Sequence, residues 1–209
     1  NFKHINAIMD EGIPVVLFDK ISRLIKCNQV VIDDKKAAFE ATKYLIDSGC
    51  RCIAHVRGPL KPQTTIHRFL GYKEAIEAHG LVYDKDLVFE AEHLTYQDGR
   101  KVAKEILASN KKIDGVFAIT DLLATGVLVK FKEVGVKIPE EISIIGFSNW
   151  FLSQITSPSL STVNQPGLEM GSAAFELFFE EITNNKNKVP TEFITVEVPT
   201  KIVIRGSTR

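Results

Sequence analysis

Short runs of apolar, mostly β-branched residues alternate along this chain with longer stretches in which apolar residues recur at helical spacing. Runs of this kind, apolar on both faces, are typical of strands buried in a parallel sheet. The pattern predicts strands at residues 15–18, 29–32, 52–56, 87–90, 115–119, 143–147, 194–198 and 202–204.

The stretches between these strands predict helices, because their apolar residues fall on one helical face. Gly49, Gly80 and Gly135 follow three of the helices, at positions where a left-handed residue ends a helix. The residues that mark the helices are Ala38, Ala41, Thr42 and Leu45; Ile66, Phe69, Leu70 and Ile76; Val102, Ala103, Ile106 and Leu107; Leu123, Val127, Leu128, Phe131 and Val134; and Leu168, Ala173, Ala174, Leu177, Phe178 and Ile182.

The order of these elements predicts an α/β protein with two doubly wound parallel-sheet lobes. Residues 34–164 carry an unbroken alternation of strands and helices, and with 193–209 they form the expected C-terminal lobe. Residues 1–33 and 165–192 form the expected, shorter N-terminal lobe. The chain then crosses between lobes near residues 33, 164 and 193, so we expect a hinge with a ligand cleft beside it.

Composition narrows the possible functions. The 209 residues include 26 Lys and Arg against 26 Asp and Glu, so these residues lack the basic field that a DNA-binding surface needs. The longest apolar runs are far shorter than the roughly 20 residues of a membrane span. Cys27, Cys50 and Cys52 make an odd count, which favours reduced thiols in a cytosol. A metal site at Cys50, Cys52 and His55 lacks an obvious fourth ligand.

Polar residues follow the predicted strands at the edge where open parallel sheets bind their ligands. Carboxylate, amide and guanidinium groups beside an aromatic ring are suited to a polyhydroxylated ring, because the polar groups bond hydroxyls and an indole covers the C–H face. These residues are Asp19 and Lys20; Arg57, Gly58 and Pro59; His93 and Leu94; Thr120 and Asp121; and Ser148, Asn149 and Trp150.

Each candidate also has a structural interpretation. Asp121 could cap the following helix or act as an acid in its first turn, and both roles could hold together with ligand contact. Arg68 could be a solvated helix arginine paired with Glu74 or another carboxylate. Ser148 and Asn149 could be turn formers, and Trp150 could anchor its loop on the core.

The enzyme signatures in this sequence are weaker than the indications of a binding site. The segment from Gly146 to Trp150 resembles a nucleophile elbow only in its first three positions, because Trp150 stands where a small residue is needed. Glycine-rich dinucleotide and triphosphate motifs are absent, and the five histidines lack metal-ligand spacing. We therefore expect no enzyme activity, cofactor or metal ion.

Six segments in a shared order resemble the effector-binding domain of the LacI/GalR family of bacterial transcription regulators, and the resemblance covers essentially the whole chain. They are 11–19 (EGIPVVLFD), 41–49 (ATKYLIDSG), 68–72 (RFLGY), 115–121 (GVFAITD), 136–147 (VKIP running into ISIIGF) and 157–166 (SPSLSTVNQP). The resemblance implies a two-lobed fold like that of type I periplasmic binding proteins.

The resemblance also implies site roles. Arg68 would fork onto effector oxygens, Asp121 or Thr120 would bind from the next loop, and Leu94 would line the cleft where the family often has an aromatic residue. Ser148 stands where the family commonly has an aspartate, so we expect a weaker contact or a different effector there. The expected effector-binding set is Arg68, Asp121, Thr120, Ser148, Asn149, Leu94, Trp150 and Asp19. We expect Arg68→Ala to abolish most effector affinity while hardly changing the unfolding midpoint.

A protein of this family would sense a sugar or similar small polar effector in the cytoplasm and change its operator affinity allosterically. It would be a homodimer that reaches DNA through an N-terminal helix-turn-helix headpiece. We expect that headpiece and the first strands of the N-terminal lobe to lie outside this chain, which opens inside a helix marked by Phe2, Ile5, Ile8 and Met9. The alternative is a periplasmic sugar-binding protein of a transporter, against which the unpaired cysteines and segment 157–166 argue.

Overall fold

The computed structural model describes residues 3–22, 24–187 and 192–209, with the backbone alone for 186 and 187. The chain divides into two compact units. Unit 1 comprises Asn1–Asp33 and Pro166–Pro199, and unit 2 comprises Asp34–Gln165 and Thr200–Arg209.

Unit 2 alternates strands and helices as its sequence pattern predicts. In chain order its elements are α2 (Asp34–Asp47), β3 (Ile53–Arg57), α3 (Gln63–Ala78), a 3-10 turn (Lys85–Leu87), β4 (Val88–Glu90), α4 (Tyr96–Ala108), β5 (Gly115–Ala118), α5 (Asp121–Glu133), β6 (Ser143–Ser148), α6 (Leu152–Ile155), β7 (Ser161–Asn164) and β9 (Lys201–Val203).

These strands form one sheet in the order β4-β3-β5-β6-β7-β9. All neighbours pair in parallel except β9, which runs antiparallel to β7. A hydrophobic core fills one face of the sheet and includes Val116, Leu123, Leu128, Phe131 and Ile144. Every residue of β5 is buried, and in β6 every residue except the last is buried, as expected for parallel strands covered by helices.

Glycines allow the helices of unit 2 to pack closely in pairs. A Cβ atom built on Gly71 of α3 would overlap the backbone of α2 at Lys35. A Cβ atom on Gly99 of α4 would overlap the carbonyl of Leu123 in α5, and one on Gly126 of α5 would overlap the backbone of α4. The backbones of α4 and α5 therefore meet at two glycines, one from each helix.

Unit 1 is smaller than unit 2, and its outer strands are half-buried or exposed. Its elements are α1 (Lys3–Asp10), β1 (Val16–Phe18), β2 (Asn28–Val31), α7 (Gly167–Asn187) and β8 (Thr195–Glu197), and its parallel sheet has the order β1-β2-β8. The buried Asn28 side chain donates a hydrogen bond to Glu181 of α7 at 3.0 Å. Phe175 and Phe179 of α7 stack with ring centroids 6.3 Å apart and remain exposed.

The elements predicted from the sequence are largely confirmed, with boundaries shifted by one or two residues. Gly49, Gly80 and Gly135 have φ angles of 102°, 71° and 86°, so they end their helices in the left-handed region. The pattern also predicted the helix that becomes α1, although Phe2 lies outside the described residues.

Two sequence-based expectations need correction. The strand prediction missed β7, whose polar residues Ser161 and Thr162 are fully buried through hydrogen bonds. Residues 193–199 were assigned to the C-terminal lobe, but β8 pairs with β2, so the last crossing falls between Pro199 and Thr200. The other two crossings fall after Asp33 and Gln165. The 165–192 segment includes residues 188–191, which lie outside the described residues.

Among the described residues, no helix combines the length and apolar character needed to cross a bilayer. The three cysteines are free, and burial raises the pKa of each thiol. A raised pKa keeps a thiol protonated and unreactive.

Candidate functional site

The carboxyl ends of five parallel strands of unit 2 meet at one edge of the sheet, which we call the strand-end edge. Arg57 ends β3, Glu90 ends β4, Ser148 ends β6 and Asn164 ends β7, while residues 119–121 follow β5 and residues 149–150 follow β6. This is the edge where open parallel sheets bind ligands. Of the predicted residues in unit 2, Thr120 and Asp121 follow β5, and Asn149 and Trp150 follow β6.

Arg68 projects from α3 and is only 5% exposed. Its Nε donates to Oδ1 of Asp34 at 2.7 Å, and its Nη1 donates to the carbonyl oxygen of Ile119 at 2.7 Å. Its guanidinium carbon lies 3.5 Å from the ring centroid of Phe147. Asp34, in the first turn of α2, therefore replaces the surface pairing with Glu74 considered from the sequence; Glu74 pairs with Lys35 instead.

These contacts fix the orientation of the Arg68 guanidinium. The hydrogen bonds that Arg68 donates to other described residues come from Nε and Nη1. A carboxylate, a carbonyl oxygen and an aromatic face together restrict the rotation of this guanidinium.

Asp121 is the first residue of α5 and is 1% exposed. Its Oδ1 accepts a hydrogen bond from the Thr162 hydroxyl at 2.6 Å, and its Oδ2 accepts one from the Trp150 backbone N–H at 2.7 Å. Burial raises the pKa of Asp121 to about 6, although these two hydrogen bonds and the charge of Arg205 act in the opposite direction. Asp121 therefore joins the strand ends of β5, β6 and β7.

Thr120 supplies the cap of α5, because its hydroxyl accepts a hydrogen bond from the Leu123 N–H at 3.3 Å. The sequence left open whether Asp121 is the cap or an acid in the first turn. The structure assigns the cap to Thr120 and the first turn to Asp121.

The loop after β6 has an unusual backbone. Ser148 and Asn149 have φ angles of 110° and 55°, a region that non-glycine residues seldom occupy. Hydrogen bonds hold this conformation: the Asn149 N–H donates to the Thr162 hydroxyl at 3.2 Å, and its side-chain amide donates to Asn164 at 2.8 Å. Ser148 donates a long hydrogen bond of 3.4 Å to Gln165. Ser148 is the last residue of β6 and Asn149 directly follows it, so both lie at the strand-end edge.

Arg205, which sequence reasoning missed, anchors this loop from the segment after β9. Its Nη2 donates to Oδ1 of Asn149 at 2.7 Å, and its Nη1 donates to the Leu160 carbonyl at 2.7 Å and the Ser153 hydroxyl at 3.1 Å. Arg205 lies 56 positions from Asn149 along the chain, and no local pattern signals that contact.

Trp150 and Leu94 expose apolar surface to solvent. The Trp150 side chain is 47% exposed and packs edge-on against Phe151, with ring centroids 4.9 Å apart, so it is not buried in the core as a loop anchor. Leu94 follows β4 and is partly exposed; its Cδ2 fills the space beside the backbone of Gly58. A side chain there would collide with Leu94.

Arg57 and Glu90 end two neighbouring strands and form an ion pair, with Nη1 of Arg57 2.6 Å from Oε2 of Glu90. Nη1 of Arg57 also donates to the Gly58 carbonyl at 2.8 Å. The guanidinium carbon lies 5.6 Å from the ring centroid of Phe69, the neighbour of Arg68 on α3.

Asp19 is the one member of the predicted set that belongs to unit 1. It follows β1 with a φ angle of 60°, and its backbone N–H donates to the Val30 carbonyl at 3.1 Å.

His55 lies in β3, fully buried. Burial lowers its pKa to about 3, its ring stacks on Tyr72 with centroids 4.6 Å apart, and Nδ1 lies 3.2 Å from the Phe117 carbonyl. It is therefore a neutral core residue. Within residues 3–22, 24–187 and 192–209, no three His, Cys, Asp or Glu side chains are grouped to hold a metal ion.

Comparison with known proteins agrees with this architecture. The model of the periplasmic binding protein-like domain family matches residues 42–208. Catabolite control protein A of Priestia megaterium is 33% identical over 208 residues, which cover 99% of this chain and 61% of that protein. The chain spans about three fifths of the length of the curated relatives it matches.

Solved structures show the same fold. The transcription regulator CcpA of Lactococcus lactis superposes with a TM-score of 0.87 at 32% identity, covering 100% of this chain and 74% of that one. A regulator from Enterococcus faecium, solved with bound ribose, superposes with a TM-score of 0.88 at 27% identity, covering 100% and 75%. Both of these solved structures are transcription regulators.

Proposed function

This chain belongs to the periplasmic binding protein-like domains of LacI-family transcription regulators, and on that premise we propose that its strand-end edge binds a small polyhydroxylated effector such as a sugar. Arg68 forks onto ligand hydroxyls through Nη2. Ser148, Asn149 and Thr120 offer further hydrogen bonds, and Trp150 with Leu94 covers the C–H face of the ligand.

The observation that carries this proposal is the fixed guanidinium of Arg68, which two hydrogen bonds hold at the strand-end edge. The solved ribose complex of a relative supports a sugar as the type of ligand.

The whole protein, in this proposal, is a cytoplasmic homodimeric regulator whose effector changes its affinity for operator DNA. DNA contact comes from a helix-turn-helix segment outside residues 1–209, because this stretch has a formal net charge of zero. Two DNA-binding segments of a dimer then meet two half-sites about one helical turn, or a multiple of it, apart.

A ligand screen by thermal shift tests the effector proposal, with D-ribose, D-glucose and cellobiose as the first probes. A ligand at about 100 times its Kd raises the free energy of unfolding by about 2.7 kcal/mol. Arg68→Lys keeps a cation beside Asp34 but removes the fork, so we expect it to weaken binding about tenfold or more.

The matched control is Arg100→Lys, which alters an Arg–Glu pair between α4 and α5 in the same way. It should bind as tightly as the parent chain. Equal binding by Arg68→Lys and the parent would show that Arg68 does not contact the effector.

A further inference from the structure

The ion pair of Arg57 and Glu90 has no role in the contacts described so far, yet it lies at the strand-end edge. The Arg57 side chain is 14% exposed, whereas that of Glu90 is 51% exposed. The cation is therefore the deeper partner, and the carboxylate covers it from the solvent side. A guanidinium so far from water is stabilised by any anion that reaches it.

Arg57 also has unused capacity to donate hydrogen bonds. Its Nε is buried and has no hydrogen-bond partner among the residues that the structure describes. Its hydrogen bond to Gly58 and its ion pair with Glu90 both use Nη1. A planar guanidinium with free N–H groups is the side chain best suited to hold a carboxylate or phosphate through two bonds.

The other charges at this edge are balanced within the chain as well. Arg68 pairs with Asp34 at 2.7 Å, and Asp121 lies in the field of Arg205. An anionic ligand would have to compete with a carboxylate for each guanidinium, while a neutral polyol needs only hydrogen bonds.

We propose that Glu90 is a specificity-determining residue that neutralises Arg57 and thereby selects uncharged polyhydroxyl ligands over their anionic counterparts. The inference rests on the proposed effector site. Removing the Glu90 charge exposes Arg57 and reverses the preference toward ligands that carry a carboxylate or phosphate.

The test compares matched sugar pairs by isothermal titration calorimetry: D-ribose with D-ribose 5-phosphate, and D-glucose with D-glucuronate. The parent chain should bind the neutral member of a pair more tightly. In Glu90→Gln, which is isosteric at a half-exposed position, the ratio of affinities should shift toward the anionic member by about tenfold or more. Glu90→Asp should retain the parent preference, because it keeps the charge.

Two further variants locate the effect. Arg57→Gln combined with Glu90→Gln should lose the gain in anion binding, because the guanidinium is gone. Glu133→Gln, which releases Arg100 from a similar pair between α4 and α5, should leave the preference unchanged.

The outcomes separate this inference from the proposed function. In one outcome, the parent and Glu90→Gln bind neutral sugars equally well while Glu90→Gln gains no affinity for the anionic sugars. That result overturns the role of Glu90 but does not contradict the proposed effector site. Tighter binding of the anionic member by the parent also overturns it. Anion binding gained by Glu90→Gln in a chain that binds no neutral sugar supports the role of Glu90 and contradicts the proposed effector. If neither chain binds any member of the pairs, both proposals fail.

Discussion

The two carboxylate oxygens of Asp121 accept hydrogen bonds from the ends of two different strands. Thr162 binds one oxygen and the Trp150 backbone binds the other. The carboxylate is buried, and burial raises its pKa to about 6. The folded protein consequently holds a proton on Asp121 at pH values where an unfolded chain has released it.

Stability should therefore depend on pH through Asp121. Since the folded pKa is about 6 and the ordinary value is 3.8, the stabilisation is present below pH 3.8 and is lost as the pH rises through 6. Lowering the pH from 7 to 4.5 should raise the free energy of unfolding of the parent by about 1 to 3 kcal/mol relative to Asp121→Asn. Urea unfolding across this range measures the difference.

The comparison with Asp121→Asn is needed because His55 acts in the opposite sense. Its folded pKa of about 3 lies below the ordinary 6.5, so its contribution to stability is lost as the pH falls through that window. Parallel pH profiles for the parent and Asp121→Asn would show that Asp121 has an ordinary pKa in the folded protein.

Arg68→Ala should destabilise the protein, contrary to the expectation from sequence that the unfolding midpoint would hardly change. The substitution removes the cation beside the Asp34 carboxylate in a buried pair, a change that costs about 3 to 5 kcal/mol. Arg100→Ala breaks a more exposed pair with Glu133 and should cost about 0 to 1 kcal/mol. Equal unfolding midpoints of the two variants in a thermal melt would contradict this.

At the scale of elements, the hydrophobic pattern predicted the strands because most are apolar on both faces, and the helices because most of them bury one face. It failed for β7, whose residues are polar but buried: the Ser161 hydroxyl lies 2.8 Å from that of Thr208, and Thr162 bonds Asp121. The loops at the strand ends were also predicted from local sequence, because their polar residues come soon after each predicted strand. Asp34 and Arg205 were missed because their partners lie 34 and 56 positions away.

The contact of α4 with α5 gives a prediction of its own. In Gly126→Ala the new methyl group meets the backbone of α4, so the helices must move apart, at a cost of about 1 to 3 kcal/mol. Gly171→Ala in α7 adds a methyl group in open space and should be neutral or slightly stabilising, since alanine is the better helix former. Chemical denaturation compares the two, and equal stabilities would argue against tight packing at Gly126.

At the scale of the whole molecule, the two units differ in how much apolar surface they bury. Every residue of β5 is buried, whereas the residues of β1 and β8 are half-buried or exposed. Backbone amides in unit 1 should therefore open more readily than those of the central strands in unit 2.

Hydrogen–deuterium exchange measures this difference. We expect amides of β5 to exchange at least about tenfold more slowly than those of β1 and β8. Equal protection in the two sheets would mean that the units unfold as one body.

The division of unit 2 between two chain segments also determines which segments must be exchanged together when this gene is recombined with a related gene. Residues 205–209 belong to unit 2, where Ser207 donates to the Ile144 carbonyl at 2.6 Å and accepts from the Ser161 N–H at 2.8 Å. In a chimera that exchanges only residues 34–165, Ser207 and its partners in these contacts would come from different parent proteins. A functional swap of unit 2 thus needs a second, ten-residue cassette from the same parent, covering 200–209.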